Sequence, residues 1–201
     1  MNDHNNQHEP SEDRVFFYER QEVIVGNLDA EGYILDIGGG GEGVIGQLEG
    51  ARVIAIDPNE RELAEAAAGP LKIVMDARDL QFLDSSLNAA TAFFTLMYIK
   101  QAEQEKVFGE VFRVLAPGGT FRIWDVVLTP RPDDVDEEKE IAAFMLLVKL
   151  PDREISTGYG TRWPDKKRDL GYYVQVAESV GFCVTAREQD GHVLFLELEK
   201  P

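Results

Sequence analysis

The run Tyr33-Ile-Leu-Asp-Ile-Gly-Gly-Gly-Gly-Glu-Gly43, followed by an apolar stretch that ends in an acid at Ala55-Ile-Asp57, constrains this chain more than any other feature. An apolar strand breaks into glycines, a helix follows, and a carboxylate closes the next strand. Glycines let the backbone turn sharply and approach a ligand with no Cβ in the way. The helix that opens there points free N–H groups at whatever sits above it. Asp57 stands where a ribose would present two hydroxyls, and a carboxylate accepts from both. The pattern reads as a nucleoside-binding βαβ unit. Two readings of its glycines stay open, because Gly38-x-Gly40-x-x-Gly43 with Asp57 also satisfies the dinucleotide fingerprint.

Asp36, two residues before the first glycine, discriminates between them. A carboxylate facing the ligand suits a cofactor with cationic amino-acid and sulfonium groups better than it suits a pyrophosphate; the bland alternative is a helix cap. Through Asp36, Gly38 and Gly40 the chain resembles the class I S-adenosylmethionine-dependent methyltransferases, whose first motif reads Asp-x-Gly-x-Gly-x-Gly. The third glycine position holds Glu42, with Gly41 and Gly43 on either side. The resemblance implies S-adenosylmethionine as cofactor. Gly38, Gly39, Gly40 and Gly41 would cradle its amino-acid end, Asp57 would hold the ribose and Pro58 would pack beside the adenine. Asp76-Ala77-Arg78 matches the family position that meets the adenine edge, although Asp76 also suits a turn cap. Thr95 and Met97 fall in the loop where the family places its acceptor motif, and both are expected beside the cofactor.

The 201 residues suffice for one domain with a full core, and 44% apolar content is globular. Thirty-seven acids against 20 Lys and Arg give a net charge of −17. Such a surface repels nucleic acid and anionic membranes, and the best basic run, Asp165-Lys-Lys-Arg168, is short and flanked by acid. One cysteine, Cys183, excludes an internal disulfide and fits a reducing cytosol; it is expected in the core. His4, His8 and His192 are too scattered for a metal site, so no metal is expected. The polar N-terminus is no signal peptide, and the longest apolar run, Ala142 to Val148, is too short to span a membrane. A soluble, cytoplasmic protein follows as an expectation.

Residues 1–13 read as a disordered tail and 14–201 as one domain. The spacing predicts an amphipathic helix over Arg14 to Leu28. Strands are then expected at Tyr33–Ile37, Arg52–Ile56, Leu71–Met75, Ala89–Thr95 and Thr120–Leu128, with helices at Glu42–Leu48, Asn59–Ala68 and Ala102–Leu115. This alternation predicts an α/β fold with a doubly wound, mostly parallel sheet. Leu170–Val180 is a further helix, and Phe182–Arg187 with His192–Leu198 form a closing antiparallel hairpin around Glu188-Gln-Asp-Gly191. That ending, and Phe112-Arg-Val-Leu-Ala-Pro-Gly-Gly119 before a strand, also resemble the class I family and imply a seven-stranded, Rossmann-like sheet. Residues 129–169 stand outside the likeness. Two strands forming an inserted hairpin arm are favoured there over helix plus loop, making the segment a candidate lid or dimer arm and a homodimer an expectation.

The acceptor is the least legible part. Thr95-Leu-Met-Tyr98 lacks the Asn/Asp-Pro-Pro-Tyr of nitrogen-directed enzymes on nucleic acid, and no Pro-Cys stands ready for pyrimidine carbon. A small-molecule or protein side-chain acceptor fits better. Candidate catalytic groups are Tyr98, Asp125 and Tyr159, with Tyr18 a further polar aromatic. Trp124 and Trp163 could wall an acceptor pocket or serve the core, and Arg162 more plausibly forms a surface ion pair. His192 is expected at the surface. A non-catalytic S-adenosylmethionine or S-adenosylhomocysteine binder is the alternative function. A nicotinamide-dependent oxidoreductase is a third, without a Tyr-x-x-x-Lys pair to support it.

Overall fold

The computed structural model describes residues 12–201. The expected disordered tail and His4 and His8 lie outside the described residues, except that Glu12–Arg14 form a 3-10 turn. The first element departs from expectation. Strand β1 (Val15–Ile24) replaces the amphipathic helix. Its Val, Phe, Tyr and Ile content favours a pleated surface, and pairing partners arrive from far along the chain: β1 runs parallel to β7, with Tyr18 beside Phe144. A helix-like spacing of apolar residues is overridden by the ladder.

From there the expected alternation holds. Strand β2 (Ile34–Ile37) leads into helix α1 (Val44–Glu49), and β3 (Val53–Asp57) into α2 (Glu60–Glu65). The α2 helix is capped by Asn59, whose side chain accepts from the Arg61 N–H at 3.1 Å. It stops earlier than Ala68 because Ala66 is extended, its methyl set against the glycine loop at Gly43. Strand β4 (Leu71–Val74), β5 (Leu87–Phe93), helix α3 (Gln101–Val114) and β6 (Leu115–Val126) follow. The Pro117-Gly118-Gly119 turn is taken up inside β6 as an irregularity opposite Leu87 and Ala89, with Gly118 at φ 77°.

The insert is a hairpin of β7 (Ile141–Lys149) and β8 (Glu154–Arg162), as expected. With β1 it makes a three-stranded sheet of order β1-β7-β8. Helix α4 (Leu170–Val180) then leads to the closing hairpin of β9 (Cys183–Asp190) and β10 (Val193–Glu199). The main sheet has seven strands in the order β4-β3-β2-β5-β6-β10-β9, parallel except for β10 and β9. Cys183 is exposed, not core, because it starts the edge strand β9.

Side-chain alternation along the strands sends neighbours to opposite faces. Leu35, Ile37, Ile54, Ile56 and Ile123 pack with Val107, Phe108 and Val111 of α3 and with Tyr173 and Ala177 of α4. Ile34, Val53, Ala55 and Trp124 pack the other way, against Val44 and Ile45 of α1 and against Phe144, Leu146 and Val148 of β7. The small sheet therefore stands in one of the two layers that cover the main sheet. The arm spends its apolar face on its own chain.

Candidate active site

The carboxyl ends of β2, β3, β4 and β5 open into a cleft of about 960 Å³, the place where open parallel sheets bind ligands. The glycine loop forms its floor. Gly38 sits at φ 70°, and a Cβ there would lie 2.3 Å from the Thr95 hydroxyl oxygen. Gly39 turns toward the sheet, where a Cβ would meet Ala55 at 2.8 Å, and it does not line the cleft. The Gly40 position is closed by Glu62, whose Cβ would be 2.6 Å from an added methyl. The loop is thus tied to β5 and α2, and Gly41 N–H donates to the Glu62 carbonyl at 2.9 Å.

Asp36 is buried, and its Oδ1 accepts from the Thr91 hydroxyl at 2.7 Å. Burial pushes its carboxyl up to about 7, against the Thr91 hydrogen bond, which holds it down. Asp57 closes β3; its Oδ1 accepts from the Asn59 N–H at 2.8 Å, leaving Oδ2 toward Gly40. Burial raises its carboxyl as well, with the Asn59 N–H opposing. Asp76 is gripped by Arg78, whose Nε stands 2.9 Å from Oδ1 and 3.0 Å from Oδ2. That grip holds its carboxyl below the usual carboxylate range, and Arg78 also pairs with Glu103. Pro58, Ala77 and Thr95 line the cleft.

At the other end stand two aromatic strand-end residues, Phe93 and Phe94. Phe94 has φ 48°, a region that non-glycine residues enter at a cost. Its N–H is held by the Trp124 carbonyl at 2.7 Å and its ring stacks on Tyr159, centroids 5.1 Å apart and planes 8° apart. Strand β8 of the insert thereby roofs the cleft through Gly158 and Tyr159. The Thr157 hydroxyl donates to Glu42 Oε1 at 2.5 Å, joining arm to glycine loop. The ring of Tyr98 is half exposed, but its hydroxyl end lies under β8, where the Gly160 N–H meets it. Burial of that hydroxyl pushes it up to about 12, and the charges of Asp125, Glu42 and Glu62 add to the rise. Tyr159 is raised for the same first reason, with Glu42 next. Both shifts favour the protonated phenol over the phenolate.

Residues 35–123 match the family described as a methyltransferase domain. Sterol 4-C-methyltransferase strm-1 of Caenorhabditis elegans is 34% identical over 119 residues, which make up 54% of this chain and 34% of that protein. Sterol 24-C-methyltransferase erg-4 of Neurospora crassa is 29% identical over 117 residues, 52% of this chain and 30% of that protein. The chain spans about a third of the length of these curated relatives. An S-adenosylmethionine-dependent methyltransferase from Methanosarcina mazei superposes with TM-score 0.59 and 20% identity, over 86% of this chain and 94% of that one. That likeness shows the fold. Residues 35–123 thus carry a methyltransferase-domain match, and the whole chain has the fold of S-adenosylmethionine-dependent methyltransferases.

Several residues expected at the site fall elsewhere. Met97 is buried and away from the cleft; its N–H donates to Asp125 Oδ2 at 3.2 Å. Asp125 is fully buried and supports that loop from behind instead of facing the cleft. Arg168 completes the support, donating to the Ile99 carbonyl at 2.9 Å and the Met97 carbonyl at 3.2 Å. Tyr18 stacks on Phe144 and touches His192 in the small sheet, and it does not line the cleft. Trp124 lines a separate groove beside β10, and Trp163 Nε1 donates to the Lys139 carbonyl at 2.7 Å. Arg162 pairs with Glu140 at 3.6 Å, the surface role expected of it. His192 is only partly exposed: its ring lies against Tyr18 and Phe144, and its Nε2 is buried without a protein partner.

Sequence reading missed Phe93, Phe94, Glu62 and Glu103 as cleft residues. Glu62 follows Asn59 by three, a capping-box spacing that reads as helix chemistry before it reads as a site. The Phe-Phe pair ending a strand was the usable signal for the aromatic wall.

Proposed function

We propose that this protein transfers a methyl group from S-adenosylmethionine to a small-molecule acceptor. The observation that carries the reading is the charge of the cleft. Asp36, Glu42, Asp57, Glu62, Glu65, Asp76 and Glu103 line it, against Arg78 and Lys100. A lining of that sign receives a sulfonium and an α-ammonium and repels a pyrophosphate. The buried Asp36 carboxyl, with a hydroxyl as its hydrogen-bond partner, fits a cationic group next to Gly38. Bound there, the cofactor supplies an activated methyl on sulfur. Asp57 Oδ2 would accept from the ribose. Asp76 would offer the adenine amino group a lone pair only as Arg78 gives one up. The protein's share of the rate is positioning: reacting atoms held about 3–3.5 Å apart and in line, a contribution on the order of 7–11 kcal/mol.

A small-molecule acceptor is supported by the roof that β8 makes over the cleft and by the sterol acceptors named for the curated relatives. The formal charge of −17 argues against nucleic acid. Among the described residues no helix is long and apolar enough to cross a membrane. With the single cysteine, the cytoplasm is the compartment we propose; residues 14–201 as one domain and a homodimer are further proposals. The test is a thermal-shift titration with S-adenosylhomocysteine, S-adenosylmethionine and NAD. At about a hundred times its Kd, a ligand adds roughly 2.7 kcal/mol to the folded state. Stabilisation by the adenosyl compounds, weakened in Asp57→Ala, supports the reading; stabilisation by NAD alone overturns it.

A further inference from the structure

Glu42 occupies the loop position where the family's first motif has its third glycine, and it is the feature of the cleft that cofactor binding explains least. A glycine there would remove the side-chain link between the glycine loop and the roof. Instead the Glu42 carboxylate accepts from the Thr157 hydroxyl at 2.5 Å and from the Tyr159 hydroxyl. These partners are neutral, so they fix the carboxylate's direction without cancelling its charge. Phe93, Phe94, Tyr98 and Tyr159 line the same cleft; Phe94 is buried with its face stacked on Tyr159, which leaves Tyr98 and Tyr159 as the rings open to a ligand. An oriented carboxylate beside aromatic rings is a receptor for an organic cation: the carboxylate takes the charge and the ring faces add cation–π attraction.

We propose that the methyl acceptor of this protein is an amine, and that Glu42 holds its ammonium beside the rings of Tyr98 and Tyr159. The proposal rests on the methyl-transfer reading and names its substrate class. A carboxylate or phosphate acceptor would face Glu42 with like charge. An alcohol or phenol would have to ionise in a negative, poorly solvated chamber, where the site's own phenols are held protonated. An amine needs only to lose one proton, and Glu42 is placed to take it. Nitrogen then bonds to the methyl carbon as the carbon–sulfur bond breaks. That bond's electron pair stays on sulfur, and the product leaves as an N-methyl ammonium.

The test uses protein saturated with S-adenosylhomocysteine, so that the cofactor end is filled and its sulfur is uncharged. A panel of primary and secondary aralkyl amines, each paired with the alcohol of the same skeleton, is titrated by calorimetry into wild type, Glu42→Gln and Tyr159→Phe. The expected result is at least one amine binding about tenfold or more tighter than its alcohol, a preference kept in Tyr159→Phe and flattened in Glu42→Gln. Circular dichroism melts check that both variants fold. The proposal is overturned if no amine outbinds its alcohol, if the preference survives Glu42→Gln, or if it follows Tyr159 instead. Glu42→Gln weakening S-adenosylmethionine relative to S-adenosylhomocysteine, with the amine preference intact, would place Glu42 on the sulfonium and also overturn it. Failure of wild type to bind S-adenosylhomocysteine at all is a different result, and it refutes the methyl-transfer reading.

Discussion

Cofactor affinity should depend on pH through Asp36. Burial lifts this carboxyl to about 7 in the free protein, so near neutrality it is ionised about half the time. A cofactor carrying an ammonium next to Gly38 binds the ionised form, and binding must therefore draw the proton off. From a value of about 7, the ionised fraction falls from roughly nine-tenths at pH 8 to one-tenth at pH 6. If the bound carboxylate stays ionised throughout, Kd for S-adenosylhomocysteine rises about tenfold over that interval, or about 1.4 kcal/mol. The sign is fixed: affinity is lost as pH falls. Calorimetry at pH 6, 7 and 8 in buffers of different ionisation enthalpy reads both the affinity and the proton released. Asp36→Asn removes the titrating group, so its Kd should be weaker at pH 8 and nearly flat with pH. Wild-type affinity independent of pH, or a tenfold slope that persists in Asp36→Asn, would refute the argument.

The same burial makes a prediction for stability. Asp36 and Asp125 are both lifted to about 7 from an ordinary 3.8, chiefly by desolvation. Their protonated forms suit the fold, so the contribution is whole below the unfolded value and is lost as pH rises through 7. At 1.36 kcal/mol per unit, the interval from pH 5.5 to 7 carries on the order of 2 kcal/mol for each, so urea midpoints of the ligand-free protein should fall across it and level off above, less so in Asp36→Asn. Gly38→Ala should cost at least about 1–2 kcal/mol for its left-handed backbone alone, with further loss from the contact to Thr95; a melting temperature unchanged within a degree would contradict the loop geometry. Asp57→Ala should weaken S-adenosylhomocysteine by about 10- to 100-fold, the value of one to two charged hydrogen bonds at roughly 1.5–3 kcal/mol, with the ligand-free melting temperature little changed. Phe108→Ala, in the layer between α3 and the sheet, should cost about 3–5 kcal/mol by urea denaturation and leave cofactor affinity per folded molecule intact.

The parts of the fold legible in the sequence were those whose signals are local. Short apolar runs broken by Gly38 to Gly41, by Asn59 and by Gly69-Pro70 announce the βα units, and Gly181 ends α4 in a left-handed turn where expected. Asp169, which caps α4 by accepting from the Tyr172 N–H at 2.9 Å, is equally readable. The failures are non-local. Nothing near Val15–Ile24 says that β7, more than a hundred residues away, will offer it a ladder, and an apolar spacing that suits two periods is settled by the partner. A place beside a hairpin turn suggests the surface for His192; its partial burial comes from Tyr18 and Phe144, on elements of the other sheet.

Asp36 and Asp125 show where a finer reading of the sequence would have reached the site. Both are acids at or near the carboxyl end of a parallel strand, both are buried and both titrate near 7. Distance from the strand end does not separate them, but parity does. Ile123 and Phe121 point to the layer of α3 and α4, and Asp125 shares their parity. It must therefore emerge beneath the loop that α3 continues, where the Met97 N–H and Arg168 use it. Asp36 has the parity of Ile34, which faces α1 and the small sheet, and so it emerges beside the glycine loop with Thr91, a residue of matching parity on β5. One carboxylate fixes the shape of the loop and the other lines the cleft. A strand's two-residue period, applied to its last acid, makes that distinction with no knowledge of what binds.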